Sequence, residues 1–199
     1  KKTLDVLSKV IKDLNIKLKY VDLGGGFGIS YNKKDKQINL KNYAKLVCNF
    51  KKELNCNIIF EPGRSIVGNT GILVSKIQYI KKGLNKNFII IDAGMNDFMR
   101  TALYDAYHNI VPIIKTSKKS PEPIEFVGPI CETSCKFSKY KKYQKIKEGD
   151  LVAITDVGAY GFSLSSNYNT KPLIAEILAS KNNFKIIRKK QDLLKLINS

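Results

Sequence analysis

The chain is poor in arginine. Its 35 basic residues include only Arg64, Arg100 and Arg188, so lysine carries nearly all of the formal charge of +18. The lysines are spread along the chain and asparagine is also abundant, a compositional bias rather than a phosphate-tracking surface. No nucleic-acid partner is expected. Long apolar runs are lacking too: none reaches membrane-spanning length. No signal-peptide pattern is present, so neither a membrane nor a secreted setting is expected. The four cysteines, Cys48, Cys56, Cys131 and Cys135, lack paired CxxC spacing. No metal site is read from them, and a reduced, cytoplasmic setting is expected. There is a single histidine, His108, and there are no internal repeats. The chain opens on Lys1 and reads as part of something longer.

Against that background, two motifs stand out. Gly24-Gly25-Gly26-Phe27-Gly28 follows the apolar run 19–23, and Glu61-Pro62-Gly63-Arg64 follows the run 57–60. One strand ending in bare backbone amides, and another ending in a carboxylate and a guanidinium, make an anion-binding rim at one end of a parallel sheet. A lysine-rich chain has kept a planar, bidentate fork at this point, a geometry lysine does not reproduce.

The organisation changes near residue 65. Leu4, Leu7, Val10, Ile11 and Leu14 recur with a helical period, as do Tyr43, Leu46, Val47, Phe50 and Leu54. Between them lie the first strand and a polar loop at 32–35. The order α-β-α-β is the repeat of a parallel sheet or (β/α) barrel. After Arg64 the rhythm is β. Strands are expected at 71–80, 87–91, 109–114, 124–127, 151–155, 173–178 and 184–188, with short helices at 97–107 and 192–197. The expected fold is therefore α/β plus all-β: residues 1–65 as the last βα units of a barrel, and residues 66–199 as an antiparallel β-domain, a barrel or sandwich. The basic, tyrosine-bearing run 139–147 reads as a solvated loop or partner-facing surface.

The β-half has chemistry of its own. Cys131 and Glu132 sit side by side after the 124–127 strand. Arg100 and Tyr104 are four apart on one helix face. Tyr160 lies in the glycine-bearing turn after 151–155.

Taken in order, residues 24–28, 61–64, 100–104 with Ala106-Tyr107-His108, 128–133, 156–160 and 167–170 with Pro172 resemble diaminopimelate decarboxylases. These are fold-type III enzymes that depend on pyridoxal 5′-phosphate (PLP). The resemblance runs from about residue 19 to 190 and covers only the C-terminal half of the family. It implies that the lysine anchoring PLP, a ring-stacking histidine and most of the barrel belong to a missing N-terminal half, and that this chain alone is inactive. It implies roles by position. Gly24, Gly25 and Gly26 would cradle the cofactor phosphate, unless they form only a tight turn. Glu61 would partner the pyridinium nitrogen, unless it is a strand-end salt bridge. Gly63 and Arg64 would complete the anion site, with Arg64 also meeting a substrate carboxylate. Arg100 and Tyr104 would clamp the substrate's distal carboxylate; the alternative is a surface helix pair. Cys131 would protonate the carbon after carbon dioxide leaves, or else be a buried apolar residue. Glu132 would read the distal ammonium. Tyr160 would contact cofactor and substrate, or be a packed aromatic. His108 reads as structural.

Two departures are visible. Cys135 stands where the family usually has an aspartate, which bears on interface hydrogen bonding, and Lys171 precedes Pro172 where an arginine is common. The implied function is decarboxylation of meso-2,6-diaminopimelate to L-lysine, by a homodimer with shared active sites. A related decarboxylase acting on ornithine, arginine or a carboxylated polyamine, or a non-catalytic remnant, remains open.

Overall fold

The computed structural model describes residues 1–32, 35 and 38–198. Part of the polar loop at 32–35 therefore lies outside the described residues. The chain divides into two compact units, Lys1–Val67 and Gly68–Ser199.

In the first unit, helix α1 (Lys2–Asp13), strand β1 (Tyr20–Asp22), helix α2 (Leu40–Leu54), strand β2 (Asn57–Ile59) and the short α3 (Arg64–Val67) follow one another. β1 and β2 pair in parallel, Val21 opposite Ile58. The buried core is Ile11, Val21, Phe50 and Cys56, with Leu4, Leu7, Leu18, Leu23, Leu54 and Ile58 packed around it. The helical spacing in the sequence therefore reports the α1 face that meets the sheet, although Val10 and Leu14 remain exposed. Asn39 caps α2 by accepting the Asn42 amide at 3.0 Å. Asn55 ends it in the left-handed region, at φ 49°. Glu53 ties α2 to α1, accepting from Ser8 Oγ at 2.7 Å and pairing with Lys12.

The second unit is built on strand β3 (Ile72–Lys82), whose 11 residues serve two partners. Its first half pairs with β8 (Leu151–Thr155). Its second half pairs with β4 (Asn87–Ile91), after a bulge between Ile77 and Tyr79. With β5 (Ile110–Pro112), β6 (Ile124–Val127) and β7 (Lys136–Tyr140), the sheet order is β5-β8-β3-β4-β6-β7. The pairings are antiparallel except β4 with β6, which is parallel, so the sheet is mixed rather than purely antiparallel as expected.

The sheet is curled, and its two outer strands meet through side chains. Tyr140 of β7 accepts the Ile110 amide of β5 at 2.6 Å, and Tyr143 donates to the Ile110 carbonyl at 2.9 Å. Ser138 of β7 donates to the His108 carbonyl at 2.6 Å. The core encloses Ile77, Ile89, Ile91, Ile110, Ile124, Phe126, Val152 and Ile154. Burial pushes both tyrosine hydroxyls above their ordinary range, so they stay neutral donors. A separate antiparallel hairpin, β9 (Glu176–Ser180) with β10 (Asn183–Arg188), and helix α5 (Leu193–Ile197) complete the chain.

Two expectations need correction. The run 139–147 is not a solvated loop: Tyr143 is buried and Tyr140 packs against the core, the lysines between them facing outward. The helix expected at 97–107 is only α4 (Arg100–Tyr104), because Asp105 turns into the left-handed region at φ 49° and stops it. No described helix is long and apolar enough to cross a membrane.

Candidate functional site

In the first unit the two rim motifs sit against each other because the β1–β2 ladder runs on past the regular strands. Leu23 N–H donates to the Ile59 carbonyl at 3.0 Å, and Glu61 N–H donates to the Gly24 carbonyl at 2.8 Å. Gly25 then passes so close to β2 that a Cβ there would overlap the Glu61 carbonyl oxygen. Only glycine permits that approach. Gly24 and Gly26 have φ of +66° and +78°, again a glycine's conformation. The Gly24 amide is taken by Asp22 Oδ1 at 2.7 Å. The amides of Gly25 and Gly26 donate to no protein group among the described residues. Of the three glycines, two can therefore give an N–H to an anion while the third is spent shaping the turn.

On the neighbouring motif, the Glu61 side chain is exposed and makes no ion pair among the described residues, so no salt bridge occupies it. Arg64 donates from Nη1 to Tyr31 Oη at 3.2 Å, while its Nε is buried with no acceptor. Free adjacent amides and a buried, orphaned guanidinium N–H are the donor set that a phosphate monoester accepts from. An exposed carboxylate beside them suits a protonated ring nitrogen. These residues fit PLP.

In the second unit, Arg100 opens α4 and is only 8% exposed, so it is not half of a surface pair. Its guanidinium carbon lies 6.0 Å from the Tyr104 ring centre and 5.6 Å from that of Tyr160. Its Nε donates to His108 Nε2 at 3.4 Å. Tyr160 is half-exposed and sits at φ 56° in the turn after β8. The adjacent Gly161 is needed there, since a Cβ would lie 2.5 Å from the Val157 carbonyl oxygen. The structure thus gathers Arg100, Tyr104 and Tyr160 into one cluster.

Cys131 and Glu132 lie on the turn after β6, both exposed. Glu132 Oε2 accepts from Tyr168 Oη at 3.5 Å. Cys131 is not the buried apolar residue its type would suggest. Cys135 is: it is buried, its Sγ accepts the Met95 amide at 3.4 Å, and it packs where a side chain at Gly128 would collide. All four cysteines are free thiols. Nearby, burial holds the Asp97 carboxyl above its usual range, although it accepts the Gly94 amide at 2.8 Å. Among the described residues no group of three His, Cys, Asp or Glu side chains is placed to hold a metal ion.

Asp22, Tyr31 and the bonding of His108 escaped the sequence reading. Asp22 had a local signal, an aspartate two residues before a glycine at a strand end. Tyr31 and His108 reach their partners only through the fold.

Residues 6–158 match the family described as "Pyridoxal-dependent decarboxylase, C-terminal sheet domain". The chain belongs to that decarboxylase family. Among its curated relatives, the diaminopimelate decarboxylase of Aquifex aeolicus is 41% identical over 88% of this chain and 41% of the relative. That of Haemophilus influenzae is 43% identical over 97% and 46%. The crystal structure of the Helicobacter pylori diaminopimelate decarboxylase complexed with L-lysine superposes with a TM-score of 0.84 at 41% identity, over 99% of this chain and 48% of that one. This decarboxylase-family chain therefore spans a little under half the length of the relatives it matches, and the match falls on their C-terminal half.

Proposed function

We propose that this chain is the C-terminal part of a PLP-dependent diaminopimelate decarboxylase, which forms L-lysine and carbon dioxide from meso-diaminopimelate. The observation that carries the substrate reading is Arg100, a buried guanidinium set against the rings of Tyr104 and Tyr160. A buried, bidentate cation is suited to a carboxylate far from the reacting centre. An ornithine or polyamine-type substrate has no carboxylate there to meet it.

The Gly25 and Gly26 amides and Arg64 Nε hold the cofactor phosphate, and Glu61 keeps a proton on the ring nitrogen. Bound there, PLP supplies the electron sink for the pair left behind when the carboxylate departs. Arg100 and Tyr104 hold the distal carboxylate, and Tyr160 closes over the guanidinium beside them. Glu132 accepts from the distal ammonium. Cys131, exposed on its turn, delivers the Sγ proton to the carbon that has lost carbon dioxide.

Arg100→Lys keeps the charge and loses the fork. In the enzyme completed by the remaining barrel, kcat/KM for meso-diaminopimelate should fall by roughly ten- to a hundredfold, mostly through KM, since charge-assisted hydrogen bonds are lost. Unchanged constants would remove Arg100 from the substrate site.

We also propose a homodimer in which Cys131 and Glu132 serve the neighbouring subunit. Mixing a Cys131→Ala enzyme with one lacking the PLP-anchoring lysine should then restore part of the activity. No recovery, with subunit exchange confirmed independently, contradicts a shared site.

A further inference from the structure

His108 is a chemistry-bearing group that the proposed reaction leaves unused. It is fully buried between α4 and β5, edge-on to Phe98 with ring centres 4.6 Å apart. Its two nitrogens face unlike partners. Nδ1 is 3.0 Å from the Thr155 carbonyl oxygen, and Nε2 is 3.4 Å from Arg100 Nε. A carbonyl only accepts, so Nδ1 carries the hydrogen. An arginine Nε only donates, so Nε2 presents its lone pair. A single neutral tautomer satisfies both contacts. Thr155 ends β8, immediately before the turn that carries Tyr160. The ring therefore joins the root of that turn to the first residue of α4.

We infer that His108 is a positioning residue for carboxylate recognition: in its Nδ1–H form it fixes the Arg100 guanidinium between Tyr104 and Tyr160. This rests on the reading of Arg100 as the clamp for the substrate's distal carboxylate. An arginine side chain free to turn loses rotamer entropy each time it binds. Anchoring Nε sets the plane of the guanidinium, and with it the direction of a bidentate contact. Placing that anchor on a ring tied to Thr155 couples the clamp to the Tyr160 turn.

The test is the preference of the PLP-loaded, completed enzyme for L-lysine over cadaverine, which lacks the carboxylate, as a ratio of dissociation constants. Loss of folded protein affects both ligands alike and cancels in the ratio. Two conservative variants separate the nitrogens. In His108→Gln the amide oxygen can accept from Arg100 in place of Nε2. In His108→Asn the amide reaches only as far as Nδ1 and keeps the Thr155 contact alone. The expected result is a preference largely retained in His108→Gln, reduced roughly tenfold in His108→Asn, and abolished in Arg100→Ala. Equal preferences in the two His108 variants, with Arg100→Ala still abolishing it, would overturn the positioning role. An unchanged preference in Arg100→Ala would overturn the clamp itself.

Discussion

At the scale of single residues, the candidate site depends on positions where only one side chain fits. Gly25 has to be glycine because its backbone lies against the Glu61 carbonyl, and that contact sets the glycine loop beside the carboxylate of the second motif. Gly28 lies in the same loop, yet a Cβ there meets nothing within 4 Å. Gly25→Ala should therefore force β1 and β2 apart, at about 1–3 kcal/mol, and weaken PLP binding, followed by absorbance titration in the completed enzyme. Gly28→Ala should bind PLP as the parent does. Equal PLP affinity in the two variants would contradict the cradle. That the glycine loop at 24–26 and the Glu61–Arg64 motif lie side by side was legible in the sequence, because both end neighbouring parallel strands. The glycines' division of labour was not legible, since the Gly24 amide is spent on Asp22 only once the turn has formed.

At the scale of elements, strand positions read from apolar runs agree with the structure at β4, β6 and β8, where turn residues bracket each run. The reading failed where charge masked the pattern. In β7 and its continuation, lysines alternate with Phe137, Tyr140 and Tyr143, so the basic character hid an inward-facing aromatic row. It also failed at α4, which an aspartate in the left-handed region cut short. Strands β4, β6 and β7 are further joined by Glu125, a buried β6 carboxylate paired with Lys86 and Lys139. Burial alone would raise this carboxyl, but the hydrogen bonds and charges of Lys86 and Lys139 together outweigh it and hold it below its usual range. The ionised form is thus the stabilising one. Its contribution is complete at neutral pH and is lost as pH falls below about 4, through the lowered folded-state value. Glu125→Gln should cost about 1–2 kcal/mol at pH 7 and distinctly less at pH 3, measured by urea unfolding. An equal loss at both pH values would show that the pairing contributes little and packing accounts for the effect.

At the scale of the whole molecule, the chain carries a two-stranded parallel sheet and a curled six-stranded one, with backbone and guanidinium donors unpaired among the described residues on the first unit and the Arg100–Tyr104–Tyr160 cluster on the second. The order of motifs made the family recognisable in the sequence, because each keeps its own strand-end chemistry. The seclusion of Arg100 was not visible there: a helical i, i+4 pair looks alike on a surface and in a core, and only the fold supplies Tyr160 and His108 around it. The central claim is that these residues serve decarboxylation of a substrate bearing a distal carboxylate. Carbon dioxide release by the PLP-loaded, completed enzyme, measured with meso-diaminopimelate and with ornithine, tests it most directly. The account predicts one L-lysine formed per carbon dioxide from meso-diaminopimelate and no release above background from ornithine. Turnover of ornithine with none of meso-diaminopimelate would contradict it.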